Sequence, residues 1–191
     1  SLREPIEKKH IHIARAGHHI QFPAEFQLIC AMNPCPCGYS THPHISCPCT
    51  PHAIQTYQTR ISGPLLDRIG LHVHLNPPAH NTSSSTDEIL LSIKHIQTLR
   101  EAQQQRQGCL NHQLNAAHAI LKKNTSPEAH TLLSNIYQKQ HLSMRALSHL
   151  HTIALTMADI SDSTHISPQH IEQALIFQKN ITHKHATPYA I

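Results

Sequence analysis

The fold is decided by residues 22–38, which read FPAEFQLICAMNPCPCG. Within this stretch, residues 26–32 form an almost continuous apolar run, the pattern of a strand buried on both faces in a parallel sheet. The run ends at Asn33, because Pro34 cannot donate a hydrogen bond to a neighbouring strand. The sequence therefore predicts a buried strand at 26–32, with Cys30 in the core.

The flanking segments extend this pattern on both sides. Residues 10–14 and 18–22 alternate polar and apolar side chains around Ala16-Gly17, as in a β-hairpin. Residues 52–62 indicate a helix, and residues 71–75 a second apolar strand. Two strands and a hairpin do not complete a sheet, so we expect an α/β core of which only a part is present.

The second half of the chain is helical in its periodicity. Residues 76–86 have the Pro, Asn and Ser/Thr composition of a linker. Four helices are predicted beyond it, at 87–107, 127–140, 143–160 and 167–179. We therefore expect the end of an α/β core at 1–75, a linker at 76–86 and an all-helical domain at 87–191.

Composition constrains the setting of the protein. The 191 residues carry a net charge of +4 and include 21 histidines. Metal sensing is one interpretation of this histidine content, and a compositional bias at surface positions is the other. The sequence shows neither a long apolar run nor a secretion signal, so we expect a cytoplasmic protein that has no membrane partner.

Four of the six cysteines lie in one Pro- and His-rich loop at residues 34–50. They form two Cys-Pro-Cys pairs, Cys35/Cys37 and Cys47/Cys49. Four thiolates suit a structural Zn²⁺ ion, and cytoplasmic thiols favour a metal site over disulfides. His42 and His44 lie in the same loop and are alternative ligands. A metal-free loop stiffened by its prolines is the other interpretation.

The sequence lacks a phosphate-binding P-loop. Such a loop needs two glycines five residues apart, followed by Lys and Ser or Thr, because backbone N–H groups must surround the phosphates. The five glycines of this chain do not have that spacing. A metal-holding Asp-Glu pair at the end of an apolar strand is also absent. The sequence therefore predicts that this chain alone does not hydrolyse ATP.

Two stretches carry a family resemblance. Residues 22–38, quoted above, and residues 57–69, YQTRISGPLLDRI, resemble signatures of the Mg-chelatase-like AAA+ ATPases in both order and spacing. The resemblance implies the end of an AAA+ core with a hairpin insertion, followed by a helical lid. It also implies ATP and Mg²⁺ as cofactors once the P-loop part is present, and assembly into a homo-oligomeric ring, expected to be a hexamer.

The resemblance further assigns three catalytic residues. Asn33 matches the sensor-1 residue, which positions the attacking water. Arg68 matches the arginine finger, which reaches the ATP site of the neighbouring subunit. Arg145 matches the sensor-2 arginine at the start of a lid helix. The alternatives are a capping Asn before Pro34, an Asp67–Arg68 surface pair and an ordinary exposed arginine.

By the same resemblance, the hairpin faces the central pore of the ring. Arg15, His18 and His19 near its tip would then contact DNA phosphates. The alternative is a solvated turn. The sequence departs from the family pattern at Gly70, where the family has Asp, and along the lid helix at His149 and Leu155, where the family has more arginines.

Three functions remain open at this point. The first is the C-terminal part of a ring-forming motor that remodels or translocates DNA in natural transformation and recombination. The second is a magnesium-chelatase subunit that remodels a protein partner. The third is a zinc-stabilised binding module without enzymatic activity, made from a split gene. The Cys-Pro-Cys pairs favour the first over the second.

Overall fold

The computed structural model describes residues 2–15, 17–75, 86–114 and 118–178. The backbone separates into two compact units. Residues 1–69 and 74–77 belong to the N-terminal unit, and residues 70–73 and 78–191 to the helical unit. Within the described residues, no helix combines the length and the apolar character needed to cross a membrane.

The N-terminal unit begins with a helix that turns directly into a hairpin. Helix α1 (Arg3–Lys8) ends at Lys9, whose φ of 57° reverses the chain. Strand β1 (His10–Arg15) then pairs antiparallel with β2 (His18–Pro23). The register runs from His10 opposite Pro23 to Arg15 opposite His18. The predicted hairpin is confirmed.

Two short helices follow the cysteine loop. Helix α2 (Pro51–Gln58) is capped by Thr50, whose hydroxyl accepts a hydrogen bond from the backbone N–H of Ala53. Helix α3 (Gly63–Leu66) starts after Ser62 and contains Pro64 in its first turn. The predicted helix at 52–62 thus ends four residues early.

The two predicted buried strands are wrong. Residues 26–32 and 71–75 form no ladder, and the one sheet of the described residues is the two-stranded hairpin. Ile29 is 83% exposed and Leu75 is 82% exposed, while Cys30 is exposed rather than in a core. An extended segment becomes a strand only when neighbours supply a ladder of hydrogen bonds, and the bond from the His72 N–H to the Phe177 carbonyl (3.0 Å) does not continue into a ladder among the described residues. The described fold is therefore helix-rich with a small antiparallel sheet.

The helical unit contains all the long helices of the described chain. Its helices are α4 (Thr86–Gln107), α5 (Ala119–Lys123), α6 (Pro127–Gln140), α7 (Met144–Ile160) and α8 (Pro168–Ile176), with a 3₁₀ turn at Asn111–Gln113 after α4. The four predicted helices are present with ends shifted by up to three residues. Residues 76–85 of the predicted linker and Lys179 lie outside the described residues.

The core of the helical unit forms around α7. Leu150 and Ala154 on this helix are fully buried, and α7 packs mainly against α8. A parallel bridge between Thr125 and Ile166 ties the start of α6 to the start of α8. The buried apolar residues of this core are Leu114, Leu121, Ala129, Leu133, Ile136, Leu150, Ile153, Ala154, Leu155, Ala158, Ile166, Ile171 and Ala174.

A polar network fixes the C-terminal end of α4 to α7. The Asp159 side chain, 8% exposed, accepts hydrogen bonds from Arg106, from Gln103 (2.9 Å) and from Asn111 (2.8 Å). Asn111 lies in the 3₁₀ turn and also donates to Thr156 at 3.0 Å. A buried carboxylate is stable only when it is paired in this way.

A second polar contact places a histidine inside the same unit. The Thr125 hydroxyl donates to the carbonyl of Leu121 (2.5 Å), so it accepts from His151 Nε2 at 2.7 Å. Nε2 of His151 therefore carries a proton. Burial, followed by the charge of nearby His130, lowers the pKa of His151 from 6.5 to about 4.

The lowered pKa of His151 predicts that the helical unit loses stability in acid. The unfolded chain binds a proton at His151 below about pH 6.5, whereas the folded chain resists it down to about pH 4. Stability from this group is thus complete above pH 6.5 and is lost as the pH falls towards 4. We expect His151→Gln to flatten the pH dependence of the free energy of unfolding in that window, measured by urea denaturation.

The control is His95→Gln, which changes an exposed histidine on α4. That variant should keep the slope of the unmodified chain. Equal slopes for His151→Gln and the unmodified chain would contradict the assignment of this proton to His151.

Candidate functional site

The cysteine loop is held at both ends by contacts within the N-terminal unit. At its start, the carbonyl of Pro34 accepts a hydrogen bond from the Gln58 side chain of α2 at 3.0 Å. A turn follows, closed by the bond from the Gly38 N–H to the Cys35 carbonyl (3.1 Å). The φ of Gly38 is 85°, a backbone conformation that glycine adopts readily and other residues rarely do. The loop ends at the capping residue of α2.

The turn brings four thiol groups together. The sulfur of Cys35 lies 3.3 Å from that of Cys37 and 3.7 Å from that of Cys47, and the last two are 3.5 Å apart. With Cys49, all four sulfurs lie within 4.8 Å of one another. Four ligands about 2.3 Å from a tetrahedral Zn²⁺ are about 3.8 Å apart, so the spacing fits such an ion.

The electrostatics of the cluster favour a cation. Burial opposes ionisation of Cys35, but hydrogen bonds from Ser40, Cys37 and Cys47 outweigh it and lower the pKa of this thiol to about 6. A bond with the Cys49 backbone lowers the pKa of Cys47, but burial and the bonds with neighbouring thiols outweigh it and raise this pKa to about 12. A bond with the Cys37 backbone likewise lowers the pKa of Cys49, but the bond with the Cys37 thiol and burial raise it overall. Ionisation is therefore unfavourable at Cys47 and Cys49, and a bound divalent cation would remove that penalty.

The two histidines of the loop do not join the cluster. His42 Nδ1 accepts hydrogen bonds from the backbone N–H groups of His44 (3.1 Å) and Ile45 (3.0 Å), so it serves as a local cap. The four cysteines are the one group of three or more candidate ligands that converges within the described part of the chain. The residues present thus fit a Cys₄ site better than a mixed site.

Asn33 lies at the edge of this loop. It is exposed, and a Cβ on Gly38 would come within 3.9 Å of its side-chain nitrogen. The residue follows an extended segment rather than a strand, so the described fold does not place it at the carboxyl end of a sheet. Its sensor-1 role remains a prediction.

Arg68 is tied into the N-terminal unit through all three of its nitrogens. Nη2 lies 2.8 Å from the carboxylate of Glu7, Nε donates to the carbonyl of Arg3 (3.1 Å), and Nη1 donates to that of Pro64 (2.6 Å). The Arg68 side chain is 17% exposed. The carboxylate that it contacts here belongs to α1, not to the adjacent Asp67.

Arg145 belongs to the helical unit, in the first turn of α7. The helix is capped by the Ser143 hydroxyl, which accepts from the backbone N–H of Ala146 at 3.0 Å. A positive charge at this end of a helix is disfavoured by the helix dipole, so the dipole gives no structural reason for an arginine at position 145. Arg145 is half-buried, and its sensor-2 role is untested by these contacts.

Gly70 and His149, two positions at which this chain differs from the family pattern, lie next to each other. A Cβ on Gly70 would come within 3.5 Å of His149 Nδ1. The Gly70 carbonyl also accepts a bond from the Gln178 side chain at 2.9 Å. An Asp side chain at position 70 would therefore contact residue 149 of α7 directly. The two positions at which this chain differs from the family thus belong to the same contact.

The three predicted DNA-contacting residues lie together near the tip of the hairpin. Arg15 pairs with His18, and His19 pairs with Ala14 one step earlier. All three side chains are exposed. The hairpin register, which follows from alternation and the position of Gly17, brings them together, and their contact with DNA stays a prediction. Sequence reasoning missed Glu7 as the partner of Arg68, since 61 residues separate the two.

Comparisons with known proteins cover nearly the whole chain. Residues 1–83 match the family model described as magnesium chelatase, subunit ChlI, and residues 91–178 match its C-terminal counterpart. The chain is 35% identical over 182 residues to the protein YifB of Escherichia coli, covering 93% of this chain and 36% of YifB. It is 34% identical over 179 residues to the competence protein ComM of Haemophilus influenzae, covering 92% and 35%.

More distant relatives extend the comparison. The protein Rv2897c of Mycobacterium tuberculosis is 29% identical over 185 residues, which cover 94% of this chain and 36% of that relative. The chain therefore spans about a third of the length of the curated relatives that it matches. The two family models, which together match residues 1–83 and 91–178, place the chain in the magnesium-chelatase-like family.

Proposed function

We propose that this chain is the C-terminal part of a ring-forming AAA+ motor that uses ATP to remodel or translocate DNA. Family membership supports the class of protein. The relative named competence protein ComM supports a role in DNA uptake or recombination. The proposed subunit is completed by a P-loop part, which corresponds to the portion of the relatives that this chain does not cover.

One observation carries the proposal. The segments 26–32 and 71–75 have the apolar composition of buried strands, yet Ile29, Val73 and Leu75 are 63–83% exposed. Side chains of this kind are seldom left in water as a continuous run. Additional strands between and beside these segments would bury them, as a complete AAA+ sheet does. The extended segments are thus the edges at which the remaining part of the core is added.

The three family-matched residues then divide the ATP chemistry. ATP with Mg²⁺ supplies the phosphoryl group and the energy of the cycle. Asn33 orients water by hydrogen bonding, and Arg145 binds phosphate from the lid side. Arg68 stabilises the charge on the transferring phosphoryl group of a neighbouring subunit, for which a planar guanidinium is suited. In this role, Arg68 exchanges its contact with Glu7 for one with phosphate.

DNA contact is assigned to the hairpin tip. Arg15 brings a guanidinium group, and His18 and His19 bring ring N–H hydrogen-bond donors. Groups of this kind make hydrogen bonds to phosphate oxygens, and such contacts hold DNA irrespective of its sequence.

Zinc is assigned to the four cysteines of the loop. Among the described residues of the N-terminal unit, Pro5 and Cys35 are the only buried ones. A unit with so little apolar burial gains stability from a metal cross-link. Zn²⁺ would supply that cross-link without redox chemistry, by holding Cys35, Cys37, Cys47 and Cys49 around one centre.

The proposed DNA contact predicts that a substitution at the hairpin tip weakens DNA binding by the isolated chain. Arg15→Ala should weaken binding of a fluorescent single-stranded oligonucleotide and reduce the salt slope, d log K/d log[salt], by about 0.7, the value for one phosphate contact. The measurement is fluorescence anisotropy at several salt concentrations. Lys94→Ala is the charge-matched control, since Lys94 is exposed on α4. Equal losses in the two variants would rule out a dedicated role for the hairpin tip.

The finger assignment predicts an inactive but nucleotide-binding variant. The assay uses a chimaera in which this chain replaces the matching C-terminal third of ComM of Haemophilus influenzae. Arg68→Ala should lower its ATP turnover by about 10³–10⁵ while nucleotide binding is retained, because the contact forms in the transition state. Arg60→Ala, which removes an exposed arginine resting on Tyr57, should leave turnover unchanged.

Two further measurements complete this test. The isolated chain should show no turnover, and Arg68→Ala subunits mixed with P-loop-defective subunits should recover part of the activity. Normal turnover by Arg68→Ala would leave the Glu7–Arg68 ion pair as a purely structural contact.

The zinc assignment predicts about one metal ion per chain after purification without chelators. Elemental analysis should find zinc in the unmodified chain and a loss of it in Cys47→Ser, because His42 is already occupied by backbone N–H groups. Cys109→Ser changes a cysteine of the helical unit and is the matched control. Metal-free protein, or full zinc content in Cys47→Ser, would contradict a Cys₄ site.

A further inference from the structure

Gln58 connects the segment that carries Asn33 to helix α2. It is the last residue of α2, and its side-chain Nε2 donates a hydrogen bond to the Pro34 carbonyl at 3.0 Å. The Gln58 side chain is half-buried, and 24 positions separate it from Pro34 in sequence. This bond therefore fixes one segment of the N-terminal unit against another.

The bond reaches Asn33 through a stiff piece of backbone. Pro34 follows Asn33 directly. The proline ring fixes φ at Pro34, and the peptide bond before it is planar. A proline also confines the residue before it to extended conformations. Holding the direction of the Pro34 carbonyl therefore restrains the backbone of Asn33 as well.

The Asn33 side chain depends on this restraint for its orientation. Within the described part of the chain its amide group makes no hydrogen bond, and the side chain is exposed. A Cβ on Gly38 would lie 3.9 Å from Asn33 Nδ2, so the turn of the cysteine loop borders the amide on one side. The direction of the amide is thus set by the backbone that carries it, and Gln58 holds that backbone.

The chain that follows Gln58 leads to Arg68. Ser62 accepts a hydrogen bond from Arg3 Nη2 at 2.8 Å, and Arg68 Nε donates to the Arg3 carbonyl. The segment after α2 is thereby anchored to α1, while the end of α2 is anchored next to Asn33. Gln58 therefore joins the segment of the water-orienting amide to the segment of the guanidinium.

We propose that Gln58 is a positioning residue for ATP hydrolysis, which holds the Asn33 amide towards the attacking water through the Pro34 carbonyl. The inference rests on the proposed function, which assigns the water to Asn33. Gln58 acts through the backbone in this role and needs no contact with the nucleotide. A misplacement of about 1 Å at a reacting group costs about 10²-fold in rate, so one hydrogen bond of this kind is sufficient to affect turnover.

The test uses the chimaera with ComM of Haemophilus influenzae. Gln58→Met keeps the length of the side chain and removes the donor. We expect kcat for ATP to fall by about tenfold to a hundredfold with KM unchanged. Gln58→Lys restores a donor and should recover part of the rate. Gln55→Met is the matched control, because it changes an exposed glutamine of the same helix, and it should leave both constants unchanged.

A double substitution separates positioning from a purely structural role. Asn33→Ala should lower kcat by itself, and adding Gln58→Met should cause no further loss, because the group that Gln58 positions is then missing. Zinc content and amide spectra show whether each variant keeps the cysteine loop and the fold. The inference is overturned if folded Gln58→Met has normal turnover, or if it lowers kcat equally with and without the Asn33 amide.

A measurement on the isolated chain distinguishes failure of the inference from failure of the proposed function. The side-chain amide signals of Asn33 in ¹⁵N-labelled protein should shift or broaden in Gln58→Met and stay unchanged in Gln55→Met. Normal turnover by Asn33→Ala would remove Asn33 from the proposed function, and with it the effect of Gln58 on catalysis. Unchanged Asn33 signals in Gln58→Met would overturn the positioning itself, whatever the role of Asn33.

Discussion

The scarcity of buried apolar surface in the N-terminal unit is the constraint on which its remaining structure depends. Among its described residues, Pro5 and Cys35 alone are buried. Hydrophobic burial ordinarily offsets the loss of chain entropy on folding. Here the order of the chain rests instead on point contacts: Gln58 to the Pro34 carbonyl, Arg68 to Glu7 and the convergence of four thiols. The first two contacts join residues 24 and 61 positions apart in sequence, and the third closes one loop.

The helical unit, in contrast, is held together by a buried apolar core. Its central helix α7 buries Leu150, Ala154 and Leu155 against α8 and neighbouring elements, and polar groups such as Asp159 are satisfied inside the unit. Such a core tolerates the loss of a single contact better than the N-terminal unit does. The difference explains why the sites assigned above, apart from Arg145, lie where few apolar contacts hold the chain. Binding loops are commonly drawn from such regions.

Local sequence signals were sufficient for the helices and for the hairpin. Ser143 and Ser126 cap α7 and α6 through their own side chains, and the alternation around Gly17 sets the register of β1 and β2. The cysteine cluster could also be predicted, because the two Cys-Pro-Cys pairs need only one loop to meet. The strands predicted at 26–32 and 71–75 do not form among the described residues, since a strand depends on partners that its own composition does not reveal. The pairing of Arg68 with Glu7 could not be predicted either, because the two residues are 61 positions apart in sequence.

The Glu7–Arg68 ion pair has a consequence for the kind of ligand that Arg68 can accept. A guanidinium already neutralised by a carboxylate gains little from a singly charged partner, because it exchanges one anion for an equivalent one. A group with several negative charges offers more, and it also repels the displaced carboxylate. In the proposed finger role of Arg68, Glu7 would compete with the ligand and would set a threshold of ligand charge. An arginine held in this way distinguishes a highly charged phosphoryl group from the chloride and carboxylates that surround every protein in solution.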